Sequence, residues 1–246
     1  MGGGAAHFHC AAVPMFPLRD TVHTRTFPLV TWSLIGINVL VFLFEVSLGP
    51  ADLQPLLADF GLVPARLVLS GPAAWLTLWT SMFLHGGWFH LISNVWTLHI
   101  FGDNVEDRMG PARFLAFYLL AGAVAGGAQV AFDPLSRIPT IGASGAIAGV
   151  LGAYFVLFPH GRVLTFIPLG FLPWLIEVPA FVYLGFWFVS QLSSGLVALG
   201  AAGGPGSFEG IAWWAHIGGF AVGLLLVGAN ARRRPRRLAG DGRFGA

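Results

Sequence analysis

The chain has 246 residues, of which 56% are hydrophobic and 10% charged, with a formal net charge of +2. Water-soluble domains carry roughly 45–50% apolar and about 25% charged residues, so this composition excludes an ordinary soluble enzyme and indicates a membrane protein. One cysteine, Cys10, excludes an intramolecular disulfide and any cysteine-built metal cage.

Residues 1–26 form a Gly- and Pro-containing tail. No apolar run follows a basic start there, so no cleavable signal peptide is expected and the first span should act as its own insertion signal. Ala6 stands where a myristoylation motif needs Ser or Thr. Six apolar stretches follow: Pro28 to Leu48, Trp88 to Val105, Phe114 to Phe132, Ser144 to Phe158, Val178 to Gly200 and Ile211 to Ala229. A helix needs about 20 residues to cross the hydrocarbon, and the expectation is an all-α, polytopic bundle of six transmembrane helices over 27–230, followed by a basic tail at 231–246. The stretch Val163 to Ile176 carries Pro168 and Pro173 and is too short to cross, so it is expected as an interfacial or re-entrant lead-in to the fifth span.

All thirteen basic residues are arginine. With both termini cytoplasmic, only Arg66 and Arg137 fall outside, and the other eleven fall inside, as the positive-inside rule requires. The expected location is therefore a membrane, taken as a bacterial cytoplasmic (inner) membrane. The run Arg232-Arg233-Arg234-Pro235-Arg236-Arg237 directly follows a span and reads as an anchor on anionic lipid, with no nucleic-acid partner.

Depth singles out four polar residues. The fourth span leaves the membrane at Pro159, and the fourteen residues back to Ser144 rise about 21 Å at ~1.5 Å each, short of the ~30 Å core. His216 lies equally far, about 21 Å, above the end of the sixth span near Asn230. In the second span His90 falls at ~22 Å and Asn94 at ~16 Å, and their spacing of four places them on one helical face. Each has a plainer reading. Gly142-Ala143-Ser144-Gly145 is a weak motif in a glycine-rich chain, and Gly145, Gly149, Gly152, Gly219 and Gly223 suit close helix packing. Asn94 could be interhelical glue and His90 an interfacial residue, while an intramembrane histidine such as His216 is functional by default. His85 and His99 are expected to be structural.

Three ordered stretches are similar to a known family: Phe83-Leu84-His85-Gly86-Gly87-Trp88-Phe89-His90-Leu91-Ile92-Ser93-Asn94, then Gly142-Ala143-Ser144-Gly145-Ala146-Ile147-Ala148-Gly149, then Ala215-His216-Ile217-Gly218-Gly219 followed by Gly223. Together they resemble the rhomboid intramembrane serine proteases, over about Phe27 to Asn230. The resemblance implies Ser144 as nucleophile, His216 as its general base, and Asn94 with His90 as part of the oxyanion site. It also implies that the segment between the first two spans, Ala51 to Ser81, lies partly within the membrane. Two positions depart from the family pattern. Leu76-Thr77 stands where many rhomboids carry a Trp-Arg pair, and Ala148 stands where some carry a tyrosine that packs on the catalytic histidine.

A serine needs a base to accept its proton, and a neutral imidazole suits that task near neutral pH. Glu45, Asp133, Glu177 and Glu209 flank the spans or lie in loops, so a dyad without an acidic third member is expected. No motif for a metal or cofactor is present, and none is expected. The expected substrates are single-span or polytopic membrane proteins cut inside the lipid bilayer. The alternative is a non-catalytic rhomboid-like protein that binds or routes membrane clients.

Overall fold

The protein is described by a computed structural model covering residues 15–169, 172–200 and 212–231. Cys10, Glu209 and the arginines of 232–237 lie outside the described residues. In chain order the elements are β1 (Phe16–Asp20), α1 (Leu29–Ser47), the short helices α2 (Pro50–Phe60), α3 (Pro64–Leu69) and α4 (Thr77–Thr80), then α5 (Trp88–Met109), α6 (Pro111–Phe132) and α7 (Ser144–Leu157). A hairpin of β2 (Arg162–Leu169) and β3 (Leu172–Pro179) precedes α8 (Ala180–Gly200) and α9 (Trp213–Ala231).

Among the described residues three helices, α1, α6 and the segment Ala180–Leu199 of α8, are long and apolar enough to cross a membrane, and Ser144–Leu157 and Trp213–Val227 are shorter apolar helices. Their outward faces are apolar: Leu40, Val197 and Leu225 are 68%, 69% and 71% exposed. In water such surface would be strongly disfavoured; against lipid it is the matching solvent. Inside, small residues line the helix contacts beside large side chains such as Phe101, Phe114, Tyr118 and Tyr154. Ala121, Ala125, Ala146, Ala148 and Ala153 are fully or almost fully buried where α6 and α7 meet their neighbours, which lets helix backbones approach closely.

Buried carboxylates tie α1 at both ends. Glu106 on α5 accepts the Val30 and Thr31 backbone N–H groups at 2.9 and 2.8 Å and the Thr31 hydroxyl at 2.8 Å. These are the orphan donors of the first turn, and a negative charge there also meets the positive end of the helix dipole. At the other end Glu45 accepts the His85 N–H, 3.2 Å from each oxygen, and so anchors the segment leading into α5.

The expectation of an all-α fold is corrected by the antiparallel sheet β1-β2-β3. The segment expected as an interfacial or re-entrant lead-in forms most of its hairpin, with Arg162 opposite Pro179 and Pro168 opposite Pro173. The N-terminal strand joins the other side, with Phe16 opposite Phe166 and Asp20 opposite Val163. Bonds from one backbone carbonyl and one side chain tie β1 to the bundle. The Trp96 indole N–H donates to the Pro17 carbonyl at 2.7 Å, and the Asp20 carboxylate accepts the Asn104 amide at 2.9 Å and the Tyr154 hydroxyl. Burial raises the Asp20 carboxyl above its ordinary value, and the Tyr154 hydrogen bond pulls the other way.

Candidate active site

Ser144 is the first residue of α7, at the end of a segment held from two directions. Leu62 and Thr140 exchange backbone hydrogen bonds at 3.0 and 2.8 Å, the Ala65 N–H reaches Ser136 at 2.9 Å, and the Gly142 N–H donates to the Ser81 carbonyl at 2.9 Å. The loop between α1 and α5 thus braces the approach to Ser144. Leu76-Thr77 supplies no arginine there; Arg66 instead donates to the carbonyls of Ala58 and Asp59 at 2.6 Å each, closing the end of α2.

His216 lies in the first turn of α9. Its Nε2 is 2.8 Å from the Ser144 Oγ and its Nδ1 is 2.7 Å from the Gln191 Oε1 on α8. The serine and histidine meet because α7 and α9 pack almost backbone to backbone. The packing role foreseen for the glycines is realised: a Cβ on Gly219 would collide with the Gly145 carbonyl oxygen. Close approach and the Ser144–His216 contact are thus one feature.

His90 and Asn94 come together over Gly142. A Cβ on that glycine, whose φ is +120°, would lie 2.6 Å from His90 Cε1 and Nε2 and 3.8 Å from Asn94 Nδ2. Only glycine suits both that backbone angle and that clearance. The His90 Nδ1 accepts the Gly86 N–H at 3.3 Å, so in the neutral ring the proton sits on Nε2, the nitrogen beside Gly142. Asn94 is 5% exposed, and its Nδ2 has no hydrogen-bond partner. Two donors therefore face one small region beside the serine, one of them with nothing to bind.

His85 and His99 stand in ring contacts: His85 lies 6.4 Å from Phe42 and 5.2 Å from His90, and His99 lies 5.2 Å from Trp32. Around His216 the rings of Trp187 at 5.9 Å and Trp213 at 6.4 Å supply the aromatic neighbours, while Ala148, fully buried, supplies none. Sequence reasoning missed Gln191. It lies thirteen residues, about 20 Å, above Val178, close to the depth of Ser144 and His216, so the same depth arithmetic applied to amides would have found it.

A family model for the Rhomboid domain matches residues 72–233. Rhomboid protein 1, mitochondrial, of Saccharomyces cerevisiae is 32% identical over 87% of this chain and 58% of its own length. Rhomboid protease GluP of Bacillus subtilis is 34% identical over 84% of this chain and 37% of its own. The human presenilin-associated rhomboid-like protein, mitochondrial, is 29% identical over 79% and 46%. The chain thus spans about 37–58% of the length of these relatives. Mitochondrial and bacterial proteins stand side by side among them, which leaves the expected bacterial inner membrane unsupported; placement in a membrane rests on the apolar helices.

Proposed function

This chain belongs to the rhomboid family, and from that premise we propose that it is an intramembrane serine endopeptidase with Ser144 as nucleophile and His216 as general base. The observation that carries the reading is the 2.8 Å contact between Ser144 Oγ and His216 Nε2, inside a bundle whose outer surface is apolar. A protein that only binds membrane clients has no need of that contact. The Ser144 hydroxyl gives its proton to His216 Nε2 as the oxygen attacks the scissile carbonyl. Negative charge then develops on the carbonyl oxygen. The Ser144 backbone N–H and the α7 dipole, the free Asn94 Nδ2 and the His90 Nε2–H are the donors to meet it. His216 returns the proton to the leaving nitrogen.

The substrate is a transmembrane segment of another protein. Its scissile peptide must unwind first, because a helical carbonyl is already hydrogen-bonded, so small or helix-breaking residues near the cut are favoured. The proposed topology has six spans, α1, α5, α6, α7, α8 and α9, with both termini cytoplasmic and the Ser144 layer opening to the opposite side. The uneven arginine distribution supports it.

The test is cleavage of single-span substrates by purified protein in lipid. Ser144→Ala and His216→Ala should each abolish cleavage with little change in melting temperature, and a fluorophosphonate should label Ser144 in the unaltered protein alone. Cleavage by either variant at a comparable rate would refute the assignment.

A further inference from the structure

We infer that Gln191 is the positioning residue for His216, an uncharged third member of a Ser-His-Gln unit; this rests on the proteolytic reading of the same site. The Gln191 Oε1 lies 2.7 Å from His216 Nδ1 and can only accept, so Nδ1 carries a proton and donates it to the amide. In the neutral ring Nε2 is then the lone-pair nitrogen, and it is the one 2.8 Å from Ser144. This is the tautomer that a general base requires.

The amide is itself fixed the right way round. Its Nε2 donates to the Ser190 Oγ at 3.2 Å, and that hydroxyl donates to the Trp187 carbonyl at 2.6 Å, which leaves Oε1 facing the imidazole. Gln191 is 8% exposed, and the Trp187 ring beside it flanks His216. One turn of α8 therefore sets the tautomer of His216 and borders its ring.

Proton movement is simple on this arrangement. As Ser144 O–H attacks, its proton moves to Nε2 and the carbonyl π pair moves onto oxygen. The imidazolium keeps its Nδ1–H on Gln191 Oε1, stabilised by a dipole and not by a charge. When the C–N bond breaks, the Nε2 proton leaves with the amine. A carboxylate at this place would stabilise the imidazolium more, but a buried charge in a membrane is costly to hold and an amide is less so.

Gln191→Leu and Gln191→Glu distinguish this role from helix packing. Loss of the acceptor should lower kcat about 10²–10³-fold, less than the ~10⁴ seen when an acidic third member is lost, with KM changed by no more than about threefold. Gln191→Glu should retain fluorophosphonate labelling and raise the acid limb of the kcat/KM profile by about 1 pH unit or more, because a carboxylate beside Nδ1 favours the imidazolium. Packing alone predicts no such pH shift. Nitrogen-15 NMR of histidine-labelled protein should show His216 protonated at Nδ1, with that preference lost in Gln191→Leu. A wild-type ring protonated at Nε2, or a Gln191→Leu protein with unchanged rate and tautomer, would overturn the proposal. If Ser144→Ala cuts as well as wild type, the protease reading fails while the NMR result still decides Gln191. If Gln191→Leu does not fold, the wild-type spectrum and the Gln191→Glu profile decide it.

Discussion

Replacing Asn94 by leucine should make the protein more stable and the enzyme slower. The Asn94 Nδ2 is buried and unpartnered, and a buried donor left unmade costs about 1–3 kcal/mol. A branched apolar side chain of similar shape removes that cost, so stability should rise by about 1–2 kcal/mol, or roughly 2–8 °C in melting temperature for a chain of this size. Activity should move the other way. One oxyanion donor contributes about 2.7–4 kcal/mol to the transition state, a drop of about 10²–10³-fold in kcat. The Ser144 N–H and His90 remain, so activity should fall and not vanish. Melting curves in detergent, measured beside cleavage kinetics on one preparation, test both signs together. Asn94→Ala serves as the control without added bulk, since the extra volume of leucine carries a strain of its own. If both variants melt lower than wild type and kcat holds, the amide is interhelical glue and the oxyanion role is wrong.

Gly219→Ala should slow cleavage about 10²-fold or more. Its methyl meets the Gly145 carbonyl, and relieving that contact moves α9 away from α7 by about 1 Å, enough to break the Ser144–His216 hydrogen bond. Wild-type kinetics for this variant would show that the serine and histidine do not depend on the helix contact. Glu106→Ala should destabilise the protein by about 2–4 kcal/mol, because three donors at the start of α1, the two on Thr31 buried and the one on Val30 half-buried, lose their acceptor. Thermal unfolding reads the loss, and a change below about 0.5 kcal/mol would contradict it.

How much of this was legible in the sequence depended on what each residue had to do. Ser144, His216, Asn94 and His90 could be grouped because intramembrane polar residues are few and a fixed rise per residue converts position into depth. Gln191 escaped because the search for a third member looked for a charge, while the structure places a neutral acceptor. The sheet escaped for another reason. Pro168 and Pro173 read as helix breakers inside an apolar run, and lipid ordinarily admits open strands nowhere. One sequence detail nonetheless pointed to a strand: the β-branched residues Val163, Thr165 and Ile167 recur at every second position, and two of them, Val163 and Thr165, are fully buried in the structure. What no local pattern could supply was the partner, since Phe16 to Asp20 lies in a different part of the chain.

That separation has a consequence for biosynthesis. Phe16 pairs with Phe166, a residue made 150 positions later, which at about 5–20 residues per second is roughly 8–30 s after the strand leaves the ribosome. Tyr154, one of the acceptor-seeking groups on Asp20, arrives almost as late. During that interval the strand has no ladder to join, and a bare apolar strand is a hazard for misassociation. Pro17 and Arg19 within it are residues that discourage stray pairing. The sheet therefore cannot form until α1, α5, α6 and α7 have been made, and a strand at Phe16–Asp20 waits for a partner encoded far along the chain.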